Sequence, residues 1–169
     1  LLSRPLDFIS EDHQRERQIC AVIVALAGGA SFDRQDAAKI LRFLNEELNV
    51  HLRDETEDLF PLLVRRCNAD DAIDTAIARI KVDQDQSVIL MPAIRSTLSR
   101  CLDTGSQLTR EERAMLTRFA GHVRRHVVAE NAILLPIARA RLTRSDLERL
   151  SHRMRSRRGL KPLQEENDA

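Results

Sequence analysis

Two segments of the chain repeat one arrangement, HLRDETEDLFP at residues 51–61 and HVVAENAILLP at residues 126–136. Each places a histidine four residues before a glutamate and ten before a proline: His51, Glu55 and Pro61, then His126, Glu130 and Pro136. On a helix the i, i+4 spacing stacks both side chains on one face, one turn apart. The surrounding residues are apolar, so that face points inward. A buried, unpartnered carboxylate costs several kcal/mol or takes up a proton. Two such segments facing each other solve the problem chemically. Imidazoles serve as terminal ligands and carboxylates neutralise and bridge, which is the donor set of a metal centre.

More donors fall on inward stripes. His13 shares a stripe with Ile9, Cys20 and Val24. His122 precedes His126 by one turn, and at 100° per residue His122, His126 and Glu130 span about 80° of helix circumference. Phe119 and Val123 lie on the same arc. Only His152 stands apart. No histidine has a glutamate three residues before it, which argues against the Glu-x-x-His signature of ferritin-like di-iron bundles. HExxH, P-loop and GxGxxG motifs are absent, as is a nucleophile elbow.

The elements that must position these residues are helices. The pattern predicts a first helix capped by Ser10 and reaching Ala27, then a GGASF break. A second runs from Asp33 to Cys67, a third from Asp70 to Leu102 with an interruption at Pro92, and a fourth to Arg141. The fourth opens on the capping box Thr109–Glu112. Thr143 and Asp146 cap a short fifth helix, flanked by Leu142 and Leu147. Pro61, Pro92 and Pro136 should bend or open their helices. The expected architecture is all-α: an antiparallel up-down four-helix bundle over residues 1–160 with a short additional C-terminal helix, and a polar tail at 161–169. The basic run at 153–158 reads as a solvated helix end favoured by the helix dipole.

Composition narrows the function. In 169 residues, 43% are hydrophobic and 31% charged, enough for one domain with its own core. A net charge of +1, with neither Trp nor Tyr, argues against nucleic acid as a partner. The longest apolar run, residues 21–27, is too short to cross a membrane, and no signal peptide is visible. Cys20, Cys67 and Cys101 read as small core residues in a reducing cytoplasm.

With these residues in view, the chain resembles the hemerythrin-like, or HHE, cation-binding family. His13 in SEDHQRER, His51 and Glu55 leading to LFP, and His126 and Glu130 leading to LLP carry the resemblance, over roughly residues 8–140. The C-terminal LTRSDLERLSHRMRSRRG is similar to a tail of bacterial members. The family's usual histidine early in helix 3 is missing from KVDQDQSVIL. The internal repeat places its counterpart near position 88, where Gln84 is the inward polar residue and Asp85 lies further round. Thr56 replaces a second acid. The resemblance thus implies one metal held by His13, His51, Glu55 and Glu130, and another by His126, His122 and the shared carboxylates. Asp58 is a further outer candidate.

The resemblance favours iron, with manganese or zinc also suited to the donors. One or two ions are expected, with a rearranged dinuclear site ranked just ahead of a single metal. The function implied is a cytoplasmic protein that senses or handles O2, NO or reactive oxygen, including peroxide. An apolar lining of Ile9, Val24, Leu48, Phe119 and Val123 would suit such ligands. The alternative is a helical regulatory or interaction module with a structural or lost metal, acting on a protein partner or as a homodimer. An oxidase or hydrolase ranks below both, since no dedicated acid–base pair is visible.

Overall fold

The structure, a computed structural model, describes residues 2–161; all but the first residue of the expected tail lies outside them. Among the described residues there is helix and no strand. Helix α1 spans Pro5–Gly28. A second stretch comprises α2 (Arg34–Glu46), α3 (Leu48–Arg53), a π-helical turn (Asp54–Leu59) and α4 (Phe60–Arg66). Helix α5 runs from Ile73 to Thr104 and α6 from Arg110 to Ala129. A second π-helical turn (Glu130–Leu134) leads to α7 (Leu135–Arg141), and α8 spans Arg144–Arg157.

Helix α1 begins six residues earlier than a cap at Ser10 predicts, because Pro5 presets a helical φ at the first turn and Leu6 and Ile9 gain burial there. Helix α5 begins at Ile73 and not at Asp70. A short 3₁₀ turn over Ala69–Asp71 and a left-handed Ala72 intervene. Gly105, with φ +71, closes α5 while its N–H donates to the Cys101 carbonyl. Pro92 does not interrupt α5, which is continuous through it. Both capping boxes form as expected, at Thr109–Glu112 and Thr143–Asp146.

Pro61 and Pro136 do coincide with opened helix, and in the same way. The N–H of Phe60 donates to the Glu55 carbonyl and that of Leu135 to the Glu130 carbonyl, each an i→i+5 bond. The residue after each donor is the proline, which lacks an N–H and would crowd the carbonyl four residues back in an α-helix. Widening the turn removes that crowding. The two repeated segments therefore share a backbone device as well as a sequence.

Helix α1 packs on α6, α6 on α5, α5 on α2 and α2 on α1, so the four long stretches enclose a common interior. That interior holds two apolar clusters. One gathers Ile23, Leu48, Leu98, Phe119 and Val123; the other gathers Ile9, Leu59, Leu63, Ile80 and Leu134. Between them in sequence, on every long stretch, fall the buried polar residues His13, Glu16, His51, Glu55, Gln84, His126 and Glu130. Val24, expected in the lining, is 37% exposed. Its side of α1 turns outward while Ile19, Cys20 and Ile23 take the inner face.

Candidate metal centre

The four stretches each send side chains into this polar layer. His13, His51, Glu55 and Glu130 offer one ligand atom apiece, all within 4.8 Å of one another, and all four residues are buried. Nε2 of His13 lies 3.1 Å from Glu55 Oε1 and 3.1 Å from Glu130 Oε2. Nε2 of His51 lies 2.9 Å from Glu16 Oε1 and 3.4 Å from Glu55 Oε1. The His13 and His51 rings meet edge to face, with centroids 5.1 Å apart.

Glu16 is a further member of the layer, outside the set that the sequence pattern picks out. It follows His13 by three residues, belongs to the inward stripe Ile9–His13–Glu16–Cys20–Ile23, and is 1% exposed. Its second oxygen, Oε2, accepts from His126 Nε2 at 3.3 Å. His126 thus joins the layer through Glu16. Gln84 joins through its amide, which donates to Glu55 Oε2 at 2.7 Å and to Glu130 Oε1 at 2.9 Å.

The structure does not bring His122, Asp85 or Asp58 to this cluster. His122 sits at the edge of the inward arc and pairs with Asp83 on α5 at 2.7 Å, with Arg125 alongside. Asp85 is exposed, near Lys81 at 4.0 Å. Asp58 turns toward α8, where Arg153 and Arg157 hold it. The basic run of α8 is accordingly not a solvated end. Arg157 is 8% exposed and reaches Asp54, Glu57 and Asp58, while Arg158 pairs with Asp54 at 2.6 Å. Thr56 donates to the Leu52 carbonyl and takes no part.

Two outer acceptors fix the histidines. The Nδ1–H of His13 donates to Asn131 Oδ1 at 2.9 Å, and that of His51 to Asp12 Oδ2 at 3.3 Å. Each leaves Nε2 aimed at the carboxylates, the arrangement by which proteins orient imidazole ligands. His51 Nε2, Glu16 Oε1 and Glu130 Oε2 are buried and close to neighbours, yet no neighbour meets them in hydrogen-bond geometry. Two of these three atoms belong to residues of the four-residue cluster. Such a donor set fits a divalent or trivalent cation.

Without a cation, protons hold the layer together. Burial lowers the His13 pKa, but the adjacent Glu130 and Glu55 carboxylates outweigh it and raise the value from 6.5 to about 10. Burial raises that of Glu16, but His51 and His126 outweigh it and bring it from 4.5 down to about 2. His51 is raised in the same way by Glu55 and Glu16, and Glu55 is lowered by His51 and His13, against burial in each case. Glu130 is raised, by burial and then by its neighbour Glu55. The signs give a stability window. The His13 contribution is complete below pH 6.5 and lost as pH rises through about 10; that of Glu16 is complete above pH 4.5 and lost as pH falls toward 2. Chelator-treated protein should therefore melt highest between pH 4.5 and 6.5. Because a cation needs neutral imidazoles, its added stabilisation should grow as pH rises above that window. A melting temperature followed across pH with and without metal checks both; a metal effect that shrinks with pH would contradict the histidine assignment.

Among the described residues, no helix is long and apolar enough to cross a membrane. No curated protein sequence matches the chain. The hemerythrin HHE cation-binding domain matches residues 4–138, from α1 into the first turn of α7, and takes in every residue of the polar layer. With that match over most of its length and a buried His/Glu cluster at its centre, the chain belongs to the hemerythrin HHE cation-binding family.

Proposed function

We propose that the protein is a cytoplasmic non-haem iron protein that senses or handles O2, NO or reactive oxygen such as peroxide. Its four long helical stretches form an antiparallel up-down bundle over a single unit of residues 1–160, with α8 as a lid on one side. The observation that carries the reading is burial of the donors: His13, His51, Glu55 and Glu130 are each at most 2% exposed. A centre so enclosed admits small neutral molecules and excludes extended or charged substrates. Ile9, Leu48, Phe119 and Val123, all buried, supply apolar matter on either side of it.

His13 and His51 would hold the cation through Nε2, with Glu55 and Glu130 neutralising its charge and Glu16 adjacent. Bound iron would supply one-electron redox chemistry and affinity for diatomic ligands. Asp12 and Asn131 hold the imidazoles in the tautomer this requires. Three free cysteines, two of them buried, accord with a reducing compartment. Iron is preferred over manganese or zinc on family grounds, since the donors suit all three.

The test is spectroscopic. Protein loaded anaerobically with iron(II) and then exposed to nitric oxide should develop new visible absorption, and exposure to O2 or peroxide should change the spectrum of the loaded protein. A loaded sample whose spectrum is indifferent to all three would refute gas handling and leave the metal structural.

A further inference from the structure

We propose that this chain holds a single cation, on the His13–His51 side of the layer, because the Gln84 amide occupies the opposite side of its two shared carboxylates. The inference rests on the metal-binding reading above. Glu55 and Glu130 each divide their oxygens. Glu55 Oε1 and Glu130 Oε2 face His13 Nε2, both at 3.1 Å. Glu55 Oε2 and Glu130 Oε1 face Gln84 Nε2, at 2.7 and 2.9 Å. An ionised carboxylate only accepts, so the amide must present its NH2 group to both, one N–H to each. A neutral group thus supplies to these oxygens the positive hydrogens that a second cation would otherwise balance.

The amide is well fixed. Gln84 is 2% exposed on an unbroken stretch of α5, between buried Ile80 and buried Ser87. The other donors a second ion would need are committed elsewhere. His122 points to Asp83, where Arg125 competes for the same carboxylate. His126 Nε2 is held by Glu16 Oε2. Glutamine is a weak ligand through its oxygen, and here the nitrogen takes both glutamates while the oxygen is buried with no hydrogen-bond partner. The missing helix-3 histidine is therefore not a lost ligand with an empty place behind it. Its replacement supplies a different interaction to the same two acids.

Titration of the full chain with manganese(II), counting bound metal after desalting and recording electron paramagnetic resonance, tests this. The unaltered protein should bind one equivalent and give the hyperfine-split spectrum of an isolated ion. Gln84→His should bind a second equivalent, and the isolated-ion signal should give way to that of a spin-coupled pair. Gln84→Glu, nearly isosteric, should do the same and stands in if the imidazole disturbs folding. Two equivalents with a coupled signal in the unaltered protein would overturn the single-ion proposal while upholding metal binding. No bound manganese, with none taken up when iron or zinc is offered, would overturn both. One equivalent in all three proteins would show that Gln84 is not what limits the count.

Discussion

The Glu55→Ala protein is expected to lose metal affinity by more than roughly 100-fold, beyond the 10–100-fold typical of removing an outer partner of a ligand. Glu55 Oε1 lies within 3.4 Å of both His13 and His51, and its other oxygen receives the Gln84 amide. The same change should lower the stability of the metal-free protein by about 3–5 kcal/mol, since it removes the carboxylate that balances two buried imidazoles. Glu130→Ala separates the two effects. Its carboxyl is disfavoured as an anion by burial and by Glu55, so its loss should cost metal-free protein less while metal binding falls as far. Isothermal titration and urea unfolding on the two variants measure this. Full metal occupancy in Glu55→Ala would end the assignment.

Arg157→Ala should be the most damaging change outside the centre, at about 3 kcal/mol, the low end of what breaking a buried ion pair costs. The guanidinium is nearly buried between Asp54 and Asp58, which are 0% and 5% exposed. Arg158 and Arg153 remain to hold Asp54 and Asp58, hence the low end. Asp54 already has its pKa raised by burial against the pull of Arg158 and Arg157, so it should protonate more readily once Arg157 is gone. The loss of urea midpoint should accordingly shrink at acid pH. A shift within the few tenths of a kcal/mol usual for surface substitutions would show that α8 is not secured through this arginine.

Much of the centre was legible because the relevant signals are periodic. The repeated His-x-x-x-Glu named His51, Glu55, His126 and Glu130, the first stripe named His13, and the repeat offset led to Gln84. Glu16 was equally periodic but lies in a run of charges, QRERQ, where a glutamate resembles solvated surface. His122 passed the periodic test and still faces elsewhere, because an edge position on a helix is decided by what the neighbouring helix offers, here Asp83. The arginines of α8 could not be paired from sequence, since their acids lie about a hundred residues away. The π-helical turns left only one mark, the common proline offset. All-helical character was plain; helix starts were not, where Pro5 and Ala72 overrode the nominal caps.

The two apolar clusters meet across a belt of charge, and this bears on how the molecule comes apart. Dispersion and hydration bind each cluster internally, but neither force acts strongly through the belt. The protons or the cation lodged there therefore add to the cooperativity with which both ends melt. Since α1 and α5 run unbroken through both clusters, emptying that belt should loosen the coupling of the two ends without severing it.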